Sequence, residues 1–166
     1  MGLFGLQGQF FKPAYAFVAA GKMLATPERL ELSGADTIGL AALAGLSKDR
    51  KTVQVLISNY EIPANYQPRP MQPPEHATPE NVPIPDFSKL RSLSPRNDIH
   101  YANNRGFHLV VDGLPWGKGT FTVQRYRLTA SEDFAPASET SESGGKFALS
   151  EELPPPGVEL IVLKGK

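Results

Sequence analysis

Few residues in this 166-residue sequence are spaced as reactive groups usually are. Carboxylates stand close together at Glu151 and Glu152 and again at Glu139 and Glu142. A general acid and a carboxylate nucleophile must face each other in a cleft, about 5 Å apart. Both pairs sit in polar, loop-like sequence, so solvated surface charge is the expectation. The histidines, His76, His100 and His108, show no HxH or HExxH spacing, and cysteine is absent. Neither a transition-metal site nor a disulfide is therefore expected. No GxSxG-like turn exists to present a nucleophilic serine. A Ser-His-Asp set drawn from distant positions can be written for any sequence and carries no weight. The stretch "SPRNDIHYANNRG" could offer calcium its oxygens, but it lacks the DxDxDG order and reads as a cluster of Asx turns. The sequence names no catalytic residue, no metal and no cofactor.

Aromatic side chains are the remaining candidates, because flat rings with a few polar partners stack on sugars. Trp116 lies in a Gly- and Pro-rich turn beside Lys118. Tyr60 ends a strong strand, and Tyr66 and Tyr101 lie in a proline-rich stretch. These four are the candidate carbohydrate-binding residues. The competing reading of Trp116 is a lid over one end of a hydrophobic core, burying on the order of 200 Å².

The elements that must position these residues follow from periodicity. Pro13 sits where a helix can spare an N–H, and helical spacing then runs over residues 13–25. Phe17, Val18, Gly21 and Leu24 share one face; Tyr15, Ala19 and Met23 share another. A helix this apolar around its girth needs cover on two sides. The cover must come from the rest of the chain, a second copy, or a domain outside it. Beyond Thr26-Pro27 the period becomes two. Strands are predicted at 29–32, 38–43, 52–58, 107–111, 120–128, 146–149 and 158–163, with a polar hairpin at 47–51 and a loop over 131–145. Prolines at 63, 68, 70, 73, 74, 79, 83, 85 and 95 deny regular ladders to the insertion 62–105. The predicted fold is all-β: an antiparallel β-sandwich of about 7–8 strands with one N-terminal α-helix and a long Pro-rich insertion. Its predicted parts are residues 1–26, a loop and helix, and residues 27–166, the sandwich.

Seventeen basic residues balance seventeen acidic ones. With no basic stripe, nucleic acid is not an expected partner, and neither is a membrane. No signal peptide is read in the first residues, and the compartment stays open.

The opening run "GLFGLQGQFFKPAYAFVAAGKML" resembles the last βα loop and last helix of the barrel in family-39 glycoside hydrolases, the family of β-xylosidases and α-iduronidases. Phe4-Gly5-Leu6, Lys12-Pro13 and Tyr15-Ala16-Phe17 carry that match. "TVQVLISNYE" is similar to the family's strand ending in Asn-Tyr. "LVVDGLPWGKGTFTVQRYRLT" and "VELIVLK" are similar to two of its later strands. After Leu128 this chain has Thr129-Ala130-Ser131-Glu132-Asp133 where the family usually has Asp and a short His-Ser-Asn-type stretch. The resemblance implies a terminal barrel helix followed by a β-sandwich. It also implies that the family's catalytic glutamates lie on earlier barrel strands, so no role passes to Glu28, Glu31 or another carboxylate here.

The expected function is a non-catalytic accessory domain of a glycoside hydrolase, structural or associated with a polysaccharide or oligosaccharide. A stand-alone carbohydrate-binding module is one alternative; a small hydrolase with an unrecognised site is another. The expected cover for the helix is a homo-oligomer partner or a catalytic barrel.

Overall fold

The computed structural model describes residues 3, 7, 9–34, 39–60, 105–137 and 139–166. Among these lie one α-helix, α1 (Lys12–Lys22), continued by a 3-10 turn (Met23–Ala25), and nine strands. The strands are β1 (Glu28–Arg29), β2 (Leu40–Leu46), β3 (Thr52–Asn59), β4 (Arg105–Asp112), β5 (Thr120–Leu128), β6 (Asp133–Pro136), β7 (Thr140–Ser143), β8 (Lys146–Leu153) and β9 (Gly157–Gly165).

The main sheet runs β1-β2-β3-β9-β5-β6, with β7 also paired to β5; β4 and β8 form a separate two-stranded ribbon. All pairings are antiparallel. One face of the main sheet sets Val53, Val55, Ile57, Ile161, Leu163, Phe121 and Val123 against the ribbon's Phe107, Leu109, Val111, Phe147 and Leu149. Its other face sets Leu56, Leu160, Val162 and Leu128 against Ala19, Met23, Tyr15 and Val18 of the helical segment. The body is thus helix on sheet on ribbon. Being covered on both faces explains why β3 and β9 read as nearly continuous apolar runs instead of clean alternations.

Helix α1 begins as its proline dictates, with no side chain capping Phe11. The Lys12 ammonium does the anchoring: Nζ donates to the carbonyls of Thr129 (2.8 Å) and Ala130 (2.5 Å) and pairs with Asp133 at 3.1 Å. At the other end the backbone of Thr26 crosses Gly45 so closely that an added Cβ there would lie 2.2 Å from the Thr26 carbonyl oxygen. Only glycine fits that crossing.

The all-β sandwich with one helix is the observed architecture. Three details differ from the sequence reading. The strand placed at 29–32 is only Glu28–Arg29, and the next begins at Leu40. The loop placed at 131–145 contains β6 and β7, whose Ser- and Glu-rich surfaces are what an exposed edge strand presents. The stretch holding Glu151 and Glu152 is strand, since β8 runs on to Leu153. The insertion 62–105 falls outside the described residues except Arg105, which opens β4.

The sequence left open how α1 is covered. The chain itself covers one side. Ala14, Ala19 and Met23 are buried, whereas Phe17 and Leu24 keep 67% and 82% of their surface exposed, and Phe10 and Phe11 are also exposed. Among the described residues no helix is long and apolar enough to cross a membrane.

Candidate functional site

The period-two pattern of β5 places Phe121, Val123, Arg125 and Arg127 on the face that meets the ribbon. In the register of β5 with β9, Arg127 stands opposite Glu159 and Arg125 opposite Ile161. Glu159 is fully buried. Its Oε1 accepts a hydrogen bond from Arg125 Nε at 2.6 Å, and Arg125 Nη2 lies 2.6 Å from the same oxygen. Oε2 accepts no hydrogen bond; Arg127 Nε lies 3.6 Å from it. From the ribbon, Glu151 reaches down to take Arg125 Nη1 at 3.0 Å. Arg127 Nη2 donates to the Glu152 carbonyl at 2.8 Å, and Asn59 Nδ2 donates to the Leu153 carbonyl at 2.7 Å. Glu132 lies 3.7 Å from Arg127 Nε.

Burial pushes the Glu159 carboxyl above the usual glutamate range, against the hydrogen bond and charge of Arg125 and the charge of Arg127. Burial also opposes the charge on Arg125, but its hydrogen bonds to Glu159 and Glu151 outweigh this and raise its pKa. The Glu159 carboxylate is fully buried between the sheets, with its hydrogen bond taken from Arg125. The burial of Glu159 has a signature in the pH dependence of stability. Because the folded Glu159 binds its proton more tightly than the unfolded one, its contribution to stability is full below the unfolded value and is lost as pH rises through the folded value. Relative to a Glu159→Gln variant, the wild type should therefore gain stability as pH falls from 7 toward the ordinary glutamate range. Urea midpoints of the two proteins across that range check this; a wild type that loses ground on acidification would refute it.

The carboxylate pairs divide. Glu142 in β7 and Glu139 are exposed, as expected of solvated charge. Glu151 is half-buried and ion-paired, because an inward position on β8 puts it beneath the ribbon. The signal for the cluster was present: Glu159 interrupts an otherwise apolar closing strand, and the arginines share a face with Phe121 and Val123.

At the opposite end of the same inter-sheet space lies Trp116. Its indole packs on Gly165, where an added Cβ would lie 2.7 Å from Cε3, and it meets Phe121 at a 5.7 Å centroid distance. Its Nε1 is buried without a hydrogen-bond partner. Tyr60 is 54% exposed and follows Asn59, at the other end of β3. Trp116 and Tyr60 therefore do not converge; Tyr66 and Tyr101 lie outside the described residues.

One shallow groove is lined by Gly106, Phe107, His108, Ser150, Glu151 and Glu152. In it His108 Nδ1 and Ser150 Oγ lie 2.7 Å apart, directly across the β4–β8 ladder. Ser150 sits in a regular strand, not on the sharp turn that exposes a serine nucleophile. The contact is a cross-strand hydrogen bond between exposed side chains. Among the described residues no group of three or more metal-ligating side chains is found.

This body is similar to a glucosidase from Croceicoccus marinus, at 26% identity and a TM-score of 0.70, over 99% of this chain and 33% of that one. It is also similar to a GH39 enzyme from Xanthomonas axonopodis pv. citri, at 13% identity and a TM-score of 0.62, over 99% of this chain and 32% of that one. The chain fits the C-terminal part of a family-39-like glycoside hydrolase. A GH30 endoxylanase from Clostridium papyrosolvens C71 shares the fold at 11% identity and a TM-score of 0.53, over 96% of this chain and 29% of that one. The chain spans about a third of the length of these enzymes. No family model matches it, and no curated protein does.

Proposed function

We propose that this chain is a non-catalytic β-sandwich domain of a glycoside hydrolase and that its role is structural. The supporting observation is the two-sidedness of α1. Its inner face is packed on the main sheet, while Phe17 and Leu24 remain bare. The likeness to about a third of a glucosidase supplies a partner of the right kind, the rest of such an enzyme. In this reading α1 is shared between two bodies, the sandwich holding one face and a catalytic barrel the other. Exposed apolar area of this kind drives association when left uncovered.

The isolated chain should therefore self-associate, and the double variant Phe17→Glu, Leu24→Glu should be monomeric. Sedimentation velocity across a concentration series reads this directly. A wild type that stays monomeric at the highest concentrations would remove the interface.

A carbohydrate-binding role resting on Tyr60 is the second reading, favoured by its 54% exposure. Affinity electrophoresis in xylan, cellulose and other glycans separates the two. Unretarded migration in all of them leaves the structural role; retardation that Tyr60→Ala abolishes installs the binding module.

A further inference from the structure

Helix α1 covers only part of the sheet face on which it lies. Its apolar contacts there are with Leu43, Leu56, Leu160, Val162 and Leu128. Tyr126 and Leu160 mark this face. By the period of two, Thr120, Thr122 and Gln124 of β5 share it, as do Lys164 and Lys166 at the end of β9. The register agrees: Lys164 stands opposite Thr122, and Lys166 N donates to the Thr120 carbonyl at 3.2 Å. On β7, Ser141 and Ser143 stand opposite Thr122 and Thr120. Thr120, both serines and both lysines are exposed, and Thr122 and Gln124 are half-buried.

The chain as a whole is neutral, with 17 basic and 17 acidic residues. This polar face is cationic. Its charged side chains are Lys164, Lys166 and Lys22, whose ammonium lies 4.6 Å from the centre of the Tyr126 ring. Glu142, the acid of β7, pairs with Phe121 and therefore points to the opposite face. Glu139 stands outside the ladder, ahead of β7. Among the described residues no ion pair holds any of the three lysines. From Thr120 to Tyr126 the row runs for about 20 Å, the length of a polymer segment and not of one small anion.

The side chains select the partner class. A protein partner would need apolar or aromatic anchors at the centre of its contact. Between Thr120 and Gln124 this face offers hydroxyls, an amide and ammonium groups. A single-stranded nucleic acid would need bare rings to stack its bases. The ring in this row, Tyr126, lies under Lys22 and donates its hydroxyl to Gln124 Oε1 at 2.6 Å. Hydroxyls and amides suit the hydroxyls of a sugar, and ammonium groups suit an acid carried on it. We propose that this face binds an anionic polysaccharide, its acid groups carboxylates or sulfates, laid along β5 with Lys22, Lys164 and Lys166 as charge partners. Exposed ion pairs are weak singly and screened by salt. Binding therefore rests on several at once and is lost as ionic strength rises. The inference goes beyond the structural role proposed above and does not depend on it.

Columns of immobilised polygalacturonate, dextran sulfate, uncharged dextran and polyglutamate test it at neutral pH and low salt. The chain should be held by at least one of the two anionic polysaccharides and released by salt. It should pass through uncharged dextran and be held more weakly by polyglutamate. The anionic polysaccharide that needs more salt for release names the acid group. Lys22→Gln, Lys164→Gln, Lys166→Gln should flow through. Lys48→Gln, Lys118→Gln, Lys146→Gln, with the same net charge and all three sites exposed, should be held like the wild type. Should the first triple variant fail to fold, Lys164→Gln, Lys166→Gln decides by its earlier release. Tyr60→Ala should change nothing, which separates this site from one at Tyr60. Passage of the wild type through both anionic polysaccharides, equal loss in the two triple variants, or equal retention on polyglutamate overturns the inference.

Discussion

Arg125→Ala should destabilise the protein by about 3–5 kcal/mol, because it strands a carboxylate that has no water to return to. Glu159 is fully buried, and the only hydrogen bond to its carboxylate in the described body comes from Arg125. Removing the guanidinium leaves Arg127 Nε at 3.6 Å as the nearest compensating charge, on the oxygen that accepts no hydrogen bond. Glu151 loses its shorter ion pair in the same step and keeps only the 4.0 Å contact with Arg127. The double variant Arg125→Met, Glu159→Leu should recover most of the loss, since the penalty belongs to the unpaired charge and not to the missing pair. Urea denaturation of the two variants measures both effects. Equal losses in the single and the double variant would mean that packing, not charge, sets the cost.

Phe121→Ala should cost about 3–5 kcal/mol, the range for removing a large ring from a closed core. Phe121 is fully buried and stands between Trp116 at 5.7 Å and Phe147 at 6.5 Å, centroid to centroid. It therefore joins three things: the turn that carries Trp116, strand β5 and the ribbon. No neighbour can fill its space cheaply, because the other side of the site is the backbone of Gly165 under the indole. Trp116 is the only tryptophan in the chain, so its emission reports the same event. A red shift accompanying the lost stability is expected as the indole loses its seat. An unshifted spectrum with native stability would show that Trp116 is held by something other than this contact.

The outline of the fold was legible because its strongest signals are local. The proline at position 13, the change of period after Thr26-Pro27 and the apolar runs of β3, β5 and β9 each mark an element without reference to any other. Strands β6 and β7 were hidden because nothing in Thr140-Ser141-Glu142-Ser143 or around Phe134 is stranded by preference; β5 recruits them by backbone pairing. The ionic cluster was half legible. A glutamate inside an apolar strand demands a partner, and the Arg125 and Arg127 spacing supplies one. That Glu151 completes it from another layer depends on how the ribbon docks, which no local pattern encodes. The bareness of Phe17 and Leu24 was legible only as a question, since a helix apolar all round does not say which side its own chain will cover.

What unites these features is that the groups resembling chemistry make contacts within the fold. Glu159 and Glu151 bind arginines, the His108 and Ser150 pair spans a ladder, and Trp116 sits on a glycine. The most direct test is turnover. Purified chain should release nitrophenol from aryl β-xylosides and aryl β-glucosides no faster than buffer does. A rate above buffer that disappears in the His108→Ala, Ser150→Ala variant would contradict a purely structural role and would place a working site on the β4–β8 ribbon.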